Sequence, residues 1–276
     1  MEIDSPSASF IGTIPANYDR YLGPLIFEFS AADMAKRVAS GLNGAARILE
    51  VACGTGISTR HLSEKTPGGT EITATDLNQA MLDFAAEKNG ALEGVTYQQA
   101  DALALPFADN EFDAVVCQFG VMFFPDKAAG LAEMSRVLKP GGQLTITIWD
   151  RFEVNPAVGI VDSVIKSAFD TNPPRFLEVP FNLLDVSAVE SLYHGAGFQD
   201  VDVTHVSEAV KVLDHENVAR GFLTGNPTVL EVNDRGSVDI ETLIKAASKK
   251  LEDTFGPVPV ALPFREITFQ SRKSKP

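Results

Sequence analysis

Tryptophan occurs once in this 276-residue chain, cysteine twice and tyrosine four times. Two cysteines are too few for a disulfide framework, and no metal-ligand spacing joins Cys53 to Cys117. Both stand in apolar runs, which reads as two buried, reduced thiols and suits a cytoplasmic setting. Basic residues are scarce as well: 23 Lys and Arg face 37 Asp and Glu, for a net charge of −14. That average field repels a phosphate-rich partner, so nucleic acid is a poor candidate. The basic tail "RKSKP" reads as a solvated end. No run approaches the roughly 20 apolar residues of a membrane span. The start, "MEIDSPSASF", has neither the basic stretch nor the apolar core of a signal peptide.

What is present points to a globular α/β protein. Apolar residues make up 45% of the chain, enough for a sizeable core. The length allows one large domain, or one domain and a small cap. The 18 phenylalanines either fill that core or line an apolar pocket. From residue 45 to 149, apolar strands alternate with amphipathic helices. "ARILEVAC", "EITATDL", "VTYQQAD", "EFDAVVCQFGV" and "QLTITIW" read as strands. "ISTRHLSEKT", "NQAMLDFAAEKNG" and residues 126–138 read as helices, the second capped by Asn78. Such alternation predicts right-handed crossovers and a doubly wound parallel sheet covered on both faces. The second half is less regular. Helices are expected over 154–170, "DVSAVESLYHGAGF", "HENVARGFLTGNP" and 238–255, and strands at "VDVTHV" and "LPFREITFQSRK".

The run "ILEVACGTG" places a carboxylate, Glu50, inside an apolar strand and then two glycines, Gly54 and Gly56, in the following turn. Ligands of open parallel sheets lie beyond the carboxyl ends of the strands, where strand order reverses. Glycines there let the backbone turn tightly and let a ligand approach. A Gly-x-Gly turn is weak by itself. Asp76, ending the next strand, adds an acid able to accept both hydroxyls of a ribose; as a simple helix cap it would duplicate Asn78. A nicotinamide dinucleotide and S-adenosylmethionine both carry an adenosine. Three features favour the second. Thr59 stands where a dinucleotide fingerprint has its third glycine. Glu50 disfavours a pyrophosphate and favours a cationic sulfonium. Asp101, at the end of the third strand, can accept from an adenine amino group.

"LEVACGTG", "TATDLN", "QADALALPFADNEFDAVVCQFGVMFF" and "VLKPGG" occur in order and together resemble the class I S-adenosylmethionine-dependent methyltransferases. The likeness is nearest to the branch containing the ubiquinone- and menaquinone-biosynthesis enzymes (methyltransferase type 11). It covers residues 15–150 and thins beyond them. The resemblance implies a seven-stranded, mostly parallel sheet of order 3-2-1-4-5-7-6, the last strand antiparallel, with a helical lid. It implies a helical segment, 1–44, over the cofactor site, a binding core, 45–150, and lid helices with the last two strands, 151–276. Ala52, Gly54 and Gly56 would pass under the methionine part of S-adenosylmethionine. Glu50 would orient that loop and, through water, the amino group. Asp76 would hold the ribose, Leu77 would press on the adenine, Met81 would be a further cofactor-binding residue, and Asp101 with the Ala102 amide would face the adenine edge. Gln118 and Phe119 would contact the methionyl end, and Tyr18 and Tyr21 would close over the cofactor.

Methyl transfer is an in-line displacement on a reactive sulfonium, so alignment and exclusion of water dominate and no catalytic side chain is required in principle. An oxygen acceptor still calls for a base. His61 is expected at the surface and His205 in a structural role, while His194 and His215 lie in the variable half, where either can reach a pocket. Phe176, Phe181 and Phe222, within lid segments 151–182 and 214–256, and His194, outside them, are the candidate acceptor-pocket residues. The expected partner is a small molecule, with a homodimer left open. Two rivals stand. A nicotinamide-dependent oxidoreductase would need the third glycine and a Tyr-x-x-x-Lys pattern, both missing in place. A regulatory protein that binds the cofactor without catalysis leaves no distinguishing mark.

Overall fold

The run Arg47–Val51 is buried from Ile48 onward on both faces and forms an interior strand of a sheet in which alternate residues serve two different cores. A computed structural model describes residues 10–183 and 185–275; the polar start at 1–9, on which the signal-peptide reading rests, lies outside them. The strands are β1 (Arg47–Val51), β2 (Glu71–Asp76), β3 (Val95–Gln99), β4 (Phe112–Gln118), β5 (Leu138–Trp149), β6 (Val201–Val212) and β7 (Val260–Arg272). They form one seven-stranded sheet of order β3-β2-β1-β4-β5-β7-β6. The first five are parallel, and β7 runs antiparallel to both β5 and β6. This is the topology that the family resemblance implies.

The helices are α1 (Ile14–Asn17), α2 (Glu28–Ser40), α3 (Ile57–Lys65), α4 (Gln79–Asn89), α5 (Lys127–Val137), α6 (Pro156–Ser167), α7 (Val186–Gly195), α8 (His215–Thr224), α9 (Thr228–Arg235) and α10 (Ile240–Phe255). Between α1 and α2 the chain winds in a wider, π-type helix, Tyr18–Phe27, with Pro24 inside it. A proline has no N–H to give to an α ladder, so a departure from α winding fits there. In β1, Ile48 packs with Ala114 and Val116 under α2 and α3, beside Met34, Val38 and Leu62. Leu49 and Val51 join Val115, Leu144 and Ile146 in the larger core on the other face.

Several local expectations are corrected. β3 stops at Gln99, so Asp101 lies on the loop beyond it. β5 begins at Leu138, because a register irregularity after Phe112 lets "KPGG" join the ladder. Asn78 stands at the N-cap of α4, but its side chain makes no capping hydrogen bond. His61 is not free at the surface: its Nε2 lies 2.7 Å from Glu28 Oε2 on α2.

Candidate active site

The loop from β1 to α3 is built from left-handed backbone. Ala52, Gly54 and Gly56 have φ of 59°, 56° and 74°. The two glycines serve different ends. A Cβ on Gly56 would stand 2.5 Å from Asn89 Nδ2 and 3.0 Å from both Ala85 Cβ and Tyr97 Oη, so Gly56 is closely packed against α4 and β3. A Cβ on Gly54 would meet nothing nearer than Met81 Cε at 3.8 Å, and it lies on the cavity. Glu50 is buried beneath this loop and accepts hydrogen bonds from the Ser58 and Thr59 hydroxyls, the latter at 2.6 Å. It therefore ties the start of α3 to β1 and does not line the cavity. Burial is the main cause that lifts its carboxyl to about 7; the two hydroxyls pull it back, and nearby Asp76 pushes it further up.

Asp76 ends β2 at the rim of the same loop. Its Oδ2 accepts the Gly54 N–H at 2.9 Å, and its Oδ1 accepts the Asn78 N–H at 2.8 Å. Asp76 thus serves the turn into α4 as well as facing the cavity, and the backbone role that the sequence assigned to Asn78 belongs to it in part. Burial raises its carboxyl from the ordinary value, against the pull of those N–H donors. Opposite it, Gln118 ends β4, and its Nε2 donates to Ser30 Oγ at 2.7 Å. Phe119 follows with φ of 53° and donates its N–H to Thr147 O at 2.9 Å.

These strand ends open onto one cavity of about 310 Å³. Of the residues singled out in the sequence, Tyr18, Ala52, Gly54, Asp76, Leu77, Met81, Asp101, Ala102, Gln118, Phe119, Phe176, Phe181 and Phe222 line it. Tyr21, Gly56 and His194 do not. The Tyr21 ring lies beside Arg20, 5.1 Å from that guanidinium carbon to its centroid. His194 belongs to α7, where its Nδ1 lies 3.0 Å from the Phe198 carbonyl oxygen. His215 is buried against Gly256 O at 2.9 Å and His205 lies 3.2 Å from Asp150 Oδ2, so neither reaches the cavity.

The cavity walls are aromatic to a degree the sequence did not foretell. One wall runs Tyr18–Phe27–Phe119–Trp149–Phe181, with ring centroids 4.4, 5.7, 4.2 and 6.2 Å apart in turn. The other is the Phe10, Phe123 and Phe176 cluster, at 5.9–6.4 Å. Trp149 and Phe27 were missed. The position of Trp149 at the carboxyl end of β5 was a usable signal; Phe27 gave none. Among the lining residues the ionisable side chains are those of Tyr18, Asp76 and Asp101, and none is Lys, Arg or His.

A small recess of about 20 Å³ adjoins the cavity between Gly54, Thr55, Ser58 and Gln118. Thr55 Oγ1 is buried there without a hydrogen-bond partner among the described residues. A zwitterionic amino-acid group over the glycine loop fits this orphaned hydroxyl, and a ribose fits Asp76. A pyrophosphate would find no cation among the lining residues. Among the described residues no group of His, Cys, Asp and Glu is arranged to hold a metal ion, and no helix is long and apolar enough to cross a membrane.

The sequence profile of a family described as a methyltransferase domain matches residues 49–146. The chain is similar to the demethylmenaquinone methyltransferase of Staphylococcus epidermidis, 31% identical over 216 residues, 72% of this chain and 88% of that protein. It is similar to the demethylmenaquinone methyltransferase of Deinococcus radiodurans, 42% identical over 130 residues. That match spans 47% of this chain and about half of the relative, 52% of its length. Among solved structures, phosphoethanolamine N-methyltransferase 2 of Haemonchus contortus, in complex with phosphomonomethylethanolamine and S-adenosylhomocysteine, aligns with a TM-score of 0.55. The identity is 18%, over 96% of this chain and 61% of that one, a likeness of fold.

Proposed function

Because the chain belongs to the class I S-adenosylmethionine-dependent methyltransferases, of the ubiquinone/menaquinone branch, we propose that it methylates a flat, apolar small molecule held in the aromatic chamber. When bound, S-adenosylmethionine supplies a methyl group on a sulfonium, open to in-line attack. The chain's own residues align and dry that attack. Asp76 accepts the ribose hydroxyls, Leu77 and Met81 border the adenine, and Asp101 with the Ala102 amide meets its edge. Gly54 leaves room for the methionine part, and Tyr18, stacked on Phe27, covers it. The work is divided as the sequence suggests: of the 1–44 segment the described residues 10–44 cover the site, 45–150 holds the cofactor, and the described part of 151–276 supplies the acceptor wall and the last two strands. Positioning of this kind is worth about 7–11 kcal/mol.

One observation carries the reading: the glycine loop and Asp76 share a single continuous cavity with the aromatic walls. The acceptor is proposed to be a quinol-like ring. The named relatives support that class, and so does a chamber lined by Phe176, Phe181, Phe222 and Trp149. With no histidine on the cavity, the nucleophile is an electron-rich carbon or an oxygen that arrives ionised. Two buried free thiols suit a reducing, cytoplasmic site of action.

Calorimetry with S-adenosylmethionine, S-adenosylhomocysteine and NAD tests the cofactor. The first two should bind with one site per chain and NAD should not. Labelled-methyl transfer to a panel of phenols and quinols then tests the acceptor. Binding of NAD with no response to either sulfur nucleoside would overturn the proposal.

A further inference from the structure

Two spaces meet beyond the strand ends: the chamber of about 310 Å³ and the recess of about 20 Å³. Six residues line both and so mark their junction: Tyr18, Phe27, Ala52, Gly54, Gln118 and Phe119. Three of the six are aromatic, and none is Asp, Glu, Lys, Arg or His. In the reading above, the methionine end of S-adenosylmethionine lies on the recess side and the acceptor lies in the chamber. The sulfur joins the two, so the junction is where the sulfonium stands.

The sequence offered Glu50 as the counter-charge for that cation. In the structure its carboxyl is held by Ser58 and Thr59 beneath the loop and lines neither space. Asp76 lines the chamber but not the recess, and it is engaged with the Gly54 and Asn78 N–H groups. What the junction offers a cation is therefore its rings. Phe27 and Phe119 form a corner, with centroids 5.7 Å apart and planes tilted by 60°. Each is backed on one side by a second ring: Tyr18 stacks on Phe27 at 4.4 Å and 19°, and Trp149 stacks on Phe119 at 4.2 Å and 8°. Stacking uses one face of each corner ring and leaves the other for a ligand. Phe119 holds its place at a φ of 53°, a left-handed backbone that a bulky residue keeps only where its surroundings impose it.

The face of an aromatic ring is the negative part of its quadrupole, and it attracts a cation most strongly where water is excluded. We propose that the Phe27–Phe119 corner is a sulfonium site, whose ring faces hold the positive charge of S-adenosylmethionine and favour it over S-adenosylhomocysteine, whose sulfur is neutral. The proposal rests on the S-adenosylmethionine reading above. The corner acts in binding. The charge leaves the sulfur with the methyl group, so the attraction ends at transfer and favours exchange of product for substrate.

Calorimetry reads this as a ratio. The Kd values of S-adenosylmethionine and S-adenosylhomocysteine are measured for wild type, Phe27→Leu and Phe119→Leu. They are also measured for two chains that carry pentafluorophenylalanine in place of Phe27 or of Phe119. Leucine removes the ring face; the fluorinated ring keeps the shape and reverses the charge of the face. Each change should shift the ratio against S-adenosylmethionine by about five- to thirtyfold relative to wild type, with S-adenosylhomocysteine little affected. A merely structural role would weaken both nucleosides alike, and an unchanged ratio in the Leu variants overturns the proposal. A wild-type ratio in both fluorinated chains overturns it as well, even beside a shift in the Leu variants, because packing against the methyl group would then explain that shift. If thermal melts show the Leu variants unfolded, the fluorinated chains decide. A wild type that binds neither nucleoside overturns the methyltransferase reading, and this proposal with it.

Discussion

Asp76 carries two duties, and a good variant must separate them. Its carboxylate holds the Gly54 and Asn78 N–H groups as well as facing the cavity. Asp76→Ala would leave two part-buried donors without their acceptor, at up to about 1–3 kcal/mol each, so loss of binding there would be entangled with loss of fold. Asp76→Asn keeps the shape and one accepting oxygen. We expect it to weaken S-adenosylmethionine binding at least tenfold in calorimetry, because a hydrogen bond to a charged acceptor is worth about 1.5–3 kcal/mol. Its melting temperature should drop by only a few degrees; parent-like affinity would remove the ribose assignment. Asp76 and the glycine turn were legible in the sequence because they are spaced along one strand-turn-strand unit. That Asp76 also braces Gly54 was not, since 22 residues separate them.

At the scale of elements, the loop joining β1 to α3 makes a contrast between neighbours. Gly56→Ala forces a Cβ against Asn89, Ala85 and Tyr97 at positive φ. It should destabilise the protein by roughly 1–3 kcal/mol or more, read as a shift in the urea midpoint. Gly54→Ala meets open space. It should cost the fold only about 1 kcal/mol, yet block S-adenosylmethionine binding, because the methyl would stand in the cavity. Equal stability loss with intact binding in both would show that the loop does not cradle a ligand. In the lid, Phe222 on α8 reaches the chamber while nearby Leu223 is buried in the core. Phe222→Ala should raise the KM for the acceptor and leave the S-adenosylmethionine Kd unchanged, at a stability cost of about 3–5 kcal/mol. A raised cofactor Kd with unchanged acceptor KM would place Phe222 at the wrong end of the cavity. That α8 would be a helix was plain from its sequence. That one of its turns would face the cavity depended on how α8 packs against Tyr18–Phe27 and α10.

At the scale of the whole molecule, Glu50 and Glu266 are carboxyls held where water does not reach, and they set a pH response. Glu50 rises to about 7 and Glu266 to about 8, both from an ordinary value of 4.5 and mainly through burial. The folded state therefore holds these protons more tightly than the unfolded chain does. Stability from this source is fullest below about pH 4.5, falls as pH rises through the window up to about 8, and is level beyond it. We expect the melting temperature of the ligand-free protein to decline from pH 5 to pH 8, and Glu266→Gln to flatten the upper part of that decline. A melting temperature that climbs across the window would contradict the burial of both groups. By itself the sequence determined the parallel sheet and its ligand-bearing edge, because strand and helix periodicity, crossover handedness and the glycine turn are encoded over short stretches; the strand order came from the family resemblance of its motifs. Tertiary structure alone decided the aromatic walls, the exclusion of Tyr21 and His194 from them, and the burial of Glu266. Those depend on which residues of distant segments end at one sheet edge and which lie beneath a helix, and no local pattern records that.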